Sequence, residues 1–334
     1  MKLSELATRE RFALLGPGFG GGQPVLVREL VPEAHAPHLL FASFEAASAD
    51  ALGFAGEARP VEIELDITPQ PPELTLRTPG YADAITRIRE AIAAGDVYQV
   101  CYTVRVELPP VSGAELFALM CQRGVPRFAA WARLPSGHEL VSASPELFFE
   151  IDGRRIVSEP MKGTARPGAA GVLSTSAKDE CELAMITDLV RNDLTRVCRP
   201  RSVRVASPRR LVELPYALQT VSDVVGELAP GVGVRDVLAA LHPGGSVTGA
   251  PKQAALAMIR ALEPEPRGAY CGALGYVQGE RTTVSLLIRT ASRHEHGWTY
   301  GAGGGIVYDS EADRELEEIV IKLGALGCVT RCSS

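Results

Sequence analysis

Residues 142 to 168 read SASPELFFEIDGRRIVSEPMKGTARPG. Two apolar stretches, Leu147 to Ile151 and Ile156 to Val157, flank Asp152-Gly153, a pair suited to a tight turn, so the segment predicts a β-hairpin. Its second strand runs into Pro160-Met161-Lys162-Gly163-Thr164. A strand end holds a side chain firmly and glycine lets a ligand approach the backbone, so a lysine and a hydroxyl bracketed by Pro and Gly read as a site. Of the 34 Lys plus Arg, only five are lysine: Lys2, Lys162, Lys178, Lys252 and Lys322. Guanidinium stays protonated and cannot act as a base or nucleophile, so a retained lysine points to work that arginine cannot do. An ordinary solvated lysine is the competing reading.

The same stretch resembles the core signature of the chorismate-utilising enzymes. That family includes anthranilate synthase component I, aminodeoxychorismate synthase component I, and the isochorismate and salicylate synthases. Lysine within P-x-K-G-T is similar to the aminodeoxychorismate synthase branch, whereas the anthranilate branch usually carries alanine there.

Composition agrees with an enzyme of this kind. The 334 residues are 46% hydrophobic and 22% charged, enough for a large core in a soluble globular chain. The net charge of −6 argues against a nucleic-acid surface. No apolar run reaches membrane-spanning length, and residues 1 to 15 carry both charge signs without a signal-peptide core, so the expected compartment is the cytoplasm. Seven scattered cysteines form no C-x-x-C pair, which favours buried thiols over zinc.

Residues 1 to 76 read as a shortened N-terminal part of the same domain, with a loop at Gly16 to Gly22 and a Pro-rich connection over 59 to 79. Residues 77 to 334 form the expected catalytic core. A helix is predicted from Tyr81 to Ala94, with Ile85, Ile88 and Ile92 on one face and Gly95 ending it. Residues 98 to 108 alternate as a strand. Residues 178 to 197 predict an amphipathic helix with Asp179 and Glu182 sharing a face. Residues 243 to 262 read as a Gly-rich loop feeding a helix, and 271 to 278, 282 to 292 and 298 to 308 as a strand meander. Tyr276 and Arg289 are the polar positions within it. A buried arginine needs an anionic partner. The Gly301 to Gly305 run that follows can bind a carboxylate through bare N–H groups. A last helix over 310 to 326 places Glu315, Glu318 and Lys322 on one face.

The resemblance covers residues 81 to 326 through six ordered motifs. It implies an α/β fold: a two-sheet antiparallel β-sandwich core with helices packed outside. The implied function is that of aminodeoxychorismate synthase component I, which converts chorismate and ammonia to 4-amino-4-deoxychorismate on the way to p-aminobenzoate and folate. Anthranilate synthase component I, releasing pyruvate, and a chorismate-binding subunit with little turnover are the alternatives. Matching by position gives Mg²⁺ ligands Glu182 and Glu318, with Asp179 and Glu315 beside them. Gln99, Tyr276, Arg289, Gly303, Gly304 and Lys322 would bind substrate. Glu146 would be the acid, Thr164 a hydrogen-bonding group near the ring, and Lys162 a covalent nucleophile with a depressed pKa. Ammonia would come from a separate glutamine amidotransferase subunit. Two departures stand out: Gln219 and Leu183 occupy positions where the family usually or commonly has histidine. His242 is the nearest histidine that could replace them. Gln99 stands where the isochorismate and salicylate branches carry a water-activating lysine. Glutamine cannot be a general base, so water chemistry is disfavoured.

Overall fold

The hairpin predicted around Asp152-Gly153 is present in a computed structural model of the chain. Strands Leu147–Asp152 and Arg155–Ser158 pair with Arg155 opposite Asp152, and Gly153 takes the left-handed turn conformation at φ +58°. The structure describes residues 1–46, 50–165, 177–214, 217–294, 297–326 and 330–333.

Strands β1 (Phe12–Gly20), β2 (Gln23–Pro32), β3 (Leu39–Ala42), β4 (Leu52–Pro60) and β5 (Leu74–Arg77) come first. Next are β6 (Gln99–Glu107), β7 (Phe128–Arg133), β8 (Glu139–Ser144), β9 and β10 (the hairpin) and β11 (Met161–Ala165). Then follow β12 (Arg204–Leu214), β13 (Ala217–Glu227), β14 (Gly249–Ala250), β15 (Ala273–Gln278) and β16 (Arg281–Leu286). The last are β17 (Thr290–His294), β18 (Gly297–Ile306) and β19 (Thr330–Ser333). All but β5 and β19, which pair with each other in parallel, join one antiparallel ribbon.

Pairing runs β14, β6, β18, β17, β8, β7, β1 through one half of the ribbon. It continues β2, β4, β3, β15, β16, β9, β10, β13, β12 through the other. Strand β11 extends the β10 side of β13.

Side chains alternate across a strand, so a strand with apolar residues at every position has a core on both faces. β1 shows this: Phe12 and Leu14 enter one apolar cluster, Ala13 and Leu15 another. The second cluster holds strand and loop residues only, among them Phe41, Phe54, Phe128 and Leu274. The first cluster takes the inward faces of the helices: Ile85 and Ile88 from Tyr81–Ala94, Ile186, Val190 and Leu194 from Ala177–Thr195, and Ile319 and Leu323 from Ala312–Leu323. β1 packs across from β15 and β16. The expected sandwich is thus one continuous sheet folded over an apolar filling, with helices outside.

Two local expectations are corrected. The Gly16 to Gly22 stretch is not a loop, since β1 runs to Gly20 and only Gly21 and Gly22, at φ +69° and +118°, turn the chain into β2. The strand read as 282 to 292 breaks into β16 and β17, with Arg289 between them in the left-handed region at φ +51°. Among the described residues, no helix is long and apolar enough to cross a membrane.

β1 makes the first strands integral to the sheet that carries the site, since it pairs with both β2 and β7. Leu14→Ala, at a fully buried position, is expected to cost about 2–5 kcal/mol through lost transfer energy and a residual cavity. Leu211→Ala, at a position 46% exposed, is expected to stay within about 0.5 kcal/mol. Urea unfolding followed by far-UV circular dichroism checks both; a small effect of Leu14→Ala would mean that β1 is peripheral.

Candidate active site

The two ends of the folded ribbon come together. β6 and β18 from one end, β11 and β13 from the other, and helices Ala177–Thr195 and Ala312–Leu323 enclose a cavity of about 290 Å³. The register puts Cys101 opposite Gly305 and Thr103 opposite Gly303, so one face of the β6–β18 pair floors the cavity largely with backbone.

Glycine is required there by space. A Cβ on Gly305 would lie 2.0 Å from Gln99 Nε2 and 3.2 Å from Lys162 Nζ. One on Gly301 would lie 2.2 Å from the Tyr270 ring. Both separations are shorter than contact distance, so any side chain would displace the groups that define the site. Gly303 and Gly304 line the cavity as expected, and the Gly303 carbonyl accepts a hydrogen bond from Lys322 Nζ at 2.6 Å. Lys322 also pairs with Glu318 Oε1 at 2.6 Å.

Lys162 projects from β11 with its side chain 14% exposed, and its Nζ stands 3.5 Å from Glu182 Oε2. Burial pulls the lysine pKa down, but Glu182 foremost, with Cys101, Glu318 and Glu146, outweighs it and leaves the value above normal. The expected depression is therefore not present in the chain by itself. Carboxylates surround the ammonium and keep its proton on.

Glu146 sits between β8 and β9, 4% exposed. Burial pushes its carboxyl up to about 7, although a hydrogen bond from Ser246 and the charges of Lys162 and Arg289 oppose the rise. At neutral pH the group is balanced between acid and carboxylate, as a proton donor must be. Arg289 lines the cavity from the break between β16 and β17, where its left-handed backbone lets Ala143 N–H donate to its carbonyl at 3.0 Å. Burial lowers its guanidinium to about 10, while Tyr300 and Glu146 hold it up. It is a cation placed in a desolvated wall, the setting in which an anionic ligand is bound most strongly.

Other expected residues fall differently. Gln99 is buried beneath Gly305, and its Oε1 has no hydrogen-bond partner among the described residues. Tyr276 is corrected: it belongs to the apolar cluster between the strands, with Leu39 and Phe41, and does not line the cavity. Tyr270 does, with Tyr300, Met161, Ile288 and Ser246, none of them singled out from the sequence. Tyr270 lies in the turn before β15, whereas Tyr276 lies within the strand and packs into the apolar cluster, a difference that motif matching does not report. Gln219 lines the cavity from β13. His242 does not; its Nε2 is 2.8 Å from the Ser43 carbonyl oxygen.

The expected acidic cluster is only partly gathered. Glu182 and Glu318 line the cavity. Glu315 is buried beside Gly304 and accepts a hydrogen bond from Ser310 at 2.7 Å. The side chains of Asp179 and Thr164 lie outside those described. Among the described residues no three His, Cys, Asp or Glu side chains are grouped to hold a metal. Two carboxylates on one anion-sized cavity nevertheless fit Mg²⁺, which keeps several waters and binds through one or two carboxylates plus a ligand oxygen.

A strand floor of glycines, two helix carboxylates, a buried lysine and a buried acid thus meet in one cavity. The chain matches the chorismate binding enzyme family over residues 34–327 and belongs to it. It is 36% identical over 256 residues to an anthranilate synthase component 1 of Haloarcula marismortui, covering 74% of this chain and 52% of that protein. It is also 36% identical over 258 residues to aminodeoxychorismate synthase component 1 of Escherichia coli, covering 74% and 56%. The chain spans about half the length of these curated relatives. In fold it is similar to the menaquinone-specific isochorismate synthase of Escherichia coli, with a TM-score of 0.77 at 18% identity, covering 97% of this chain and 90% of that one.

The raised Glu146 pKa carries a linkage sign. Between the ordinary value of 4.5 and about 7 the folded state binds more protons than the unfolded one, so stability falls as pH rises through that window. The loss should total on the order of 3 kcal/mol at most. Glu146→Gln, which does not titrate, is expected to remove that part of the slope. Urea unfolding of both proteins at pH 5 and pH 8 checks it, and equal slopes would mean that Glu146 is not held in its acid form by burial.

Proposed function

We propose that this chain catalyses the amination of chorismate to 4-amino-4-deoxychorismate, as component I of an aminodeoxychorismate synthase. The observation that supports this most is Lys162, delivered by a rigid strand into the same cavity as the buried acid Glu146. Only a lysine that must react, and not merely carry charge, gains from such a position.

Chorismate is a dianion, and the cavity offers cations at two places. Arg289 and Lys322, with the Gly303 and Gly304 backbone, would take the enolpyruvyl carboxylate. Glu182 and Glu318 would hold Mg²⁺, which when bound supplies the positive charge that takes the ring carboxylate and relieves Lys162 of its ion pair. Lys162, its proton given up to solvent, would form a bond from Nζ to the ring as the double bond shifts and the C–O bond of the hydroxyl breaks. Glu146 gives that oxygen its proton, and water departs. The proton left on the lysine nitrogen returns to the Glu146 carboxylate. Ammonia then adds to the ring, the bond to Nζ breaks, and the ammonia nitrogen's surplus proton goes to the departing amine. The sum is chorismate plus ammonia giving aminodeoxychorismate plus water. Thr164 would hydrogen-bond near the ring. Ammonia would be supplied by a separate glutamine amidotransferase subunit, as the "component 1" names of the relatives suggest.

Two other readings have support. Relatives named anthranilate synthase and aminodeoxychorismate synthase are equally similar, so an aromatic product with pyruvate release is the second. Gln219 in the cavity wall, with neither acid nor base function, favours the third, a chorismate-binding subunit with little turnover.

Chorismate, Mg²⁺ and ammonium at high pH, with products separated by mass, should yield aminodeoxychorismate and no pyruvate. Pyruvate would assign the anthranilate reaction, and binding without consumption the third reading. Lys162→Arg keeps charge and approximate reach but not nucleophilicity, and is expected to bind chorismate with at least a hundredfold loss of turnover, in the range of a removed nucleophile or acid. Near-normal amination by this variant would eliminate the covalent step. Glu182→Gln or Glu318→Gln should abolish Mg²⁺-dependent turnover while the circular dichroism spectrum is unchanged.

A further inference from the structure

Glu146 is held at its backbone from two sides. Its N–H donates to Ser144 Oγ at 3.3 Å, and its carbonyl accepts from Leu286 N–H at 3.3 Å. The carboxyl can therefore vary only by side-chain rotation. Among the described residues, one side chain hydrogen-bonds it: Ser246 Oγ donates to Oε1 at 2.8 Å.

Ser246 is itself clamped. It lies in the tight turn Gly245–Val247, closed by hydrogen bonds from Val247 N–H to the Gly244 carbonyl at 3.2 Å and from Thr248 Oγ1 to the same oxygen at 2.9 Å. The buried Arg267 guanidinium fixes the Val247 carbonyl at 2.7 Å. Gly245 is pressed on helix Ala177–Thr195 so closely that a Cβ there would sit 2.5 Å from Leu189 Cδ2. This hydroxyl is a preorganised donor and not a surface rotor.

A carboxylic acid has two oxygens and one proton. An oxygen accepting a hydroxyl proton is the carbonyl-like one, so the acid proton resides on the other. We propose that Ser246 is a positioning residue that keeps the transferable proton of Glu146 on Oε2 by occupying Oε1. After transfer the same bond stabilises the carboxylate that remains, where neighbouring charge comes from Lys162 on β11 and Arg289 beyond β16. The direction of the Ser246 bond, which opposes the burial-driven rise at Glu146, agrees with that second role.

The inference rests on Glu146 as the proton donor of the proposed amination, so its test has an arm that needs no turnover. Glutamate carrying ¹³C at the side-chain carboxyl lets Glu146 be titrated by NMR, with its resonance assigned through Glu146→Gln. Ser246→Ala is expected to raise the Glu146 midpoint by about one pH unit, as loss of one hydrogen bond to a charged group should. Ser246→Thr, retaining the hydroxyl, should restore it. In the turnover arm, Ser246→Ala should lower kcat about tenfold or more, move the pH limb assigned to Glu146 upward with the NMR midpoint, and leave KM for chorismate within about threefold. Ser246→Thr should recover kcat.

An unmoved midpoint in Ser246→Ala, or no recovery with Thr, overturns the proposal. So does a rise in KM with kcat unchanged, which would make Ser246 a substrate contact. Should the alanine variant lose its folded circular dichroism spectrum, Ser246→Cys, a weak donor of similar size, takes its place with the same expected direction. Absence of any turnover by the wild-type chain would count against the amination reading, and the NMR arm would still decide whether Ser246 controls the proton.

Discussion

The site depends on a stretch of strand with almost no side chains, Gly301 to Gly305 of β18. Where β18 passes Gly301, Gly303, Gly304 and Gly305, the ring of Tyr270, the carbonyl of Tyr102, the ammonium of Lys322, and the side chains of Gln99 and Lys162 all approach positions that a Cβ would occupy or crowd. Backbone replaces side chain as the cavity floor, so its contribution is fixed by the ladder between β6 and β18 and not by rotamers. Such a floor costs stability, because glycine in a strand loses more entropy on folding and packs nothing. The two-sided core around β1 and its neighbours is where that cost is offset.

Charge is distributed over this floor in an unusual way for a buried region. Lys162 with Glu182, and Lys322 with Glu318, form pairs within the cavity walls. Neither pair contributes much net stability: desolvation consumes most of the attraction in the buried Lys162–Glu182 pair, and solvent screens the more exposed Lys322–Glu318 pair. Their value lies in exchange: a ligand carrying its own charges can substitute for one member of a pair without leaving the other unsatisfied. Glu146 and Arg289 differ, because both are pushed toward their neutral forms by burial. The cavity therefore holds ion pairs, a half-ionised acid, and a guanidinium that stays charged at neutral pH.

Much of this was legible in the sequence. The hairpin, the helix Tyr81–Ala94 and strands β6 and β18 follow from alternation, periodicity and glycine stops. Lys162, Glu146, Glu182, Glu318, Lys322 and Arg289 were recognised by residue type and motif, and all line the cavity. What was not legible required the third dimension. Tyr270 and Tyr276 are both tyrosines near one strand, and only the turn before β15 brings the first of them into the cavity wall. The left-handed backbone of Arg289 has no local signal, since its φ is dictated by pairing on both sides. The charge state of Lys162 in the chain by itself depends on distances to carboxylates on two helices, which no sequence spacing reports.

The meeting of the two ribbon ends has a consequence for how the molecule comes into being. Gln99 and Gly305, or Lys162 and Glu318, are far apart along the chain, and their proximity closes very long loops whose entropy is lost before the contact is made. Strand β18 and helix Ala312–Leu323 follow the other cavity-lining strands and helices in the chain and are synthesised after them. A chain that stops short of β18 lacks the glycine floor, so the cavity is complete only when the whole sheet has closed. Occupancy is thereby a report on completed assembly, and a metabolite that fills the cavity protects finished molecules selectively against local opening and proteolysis, leaving incomplete ones to be degraded.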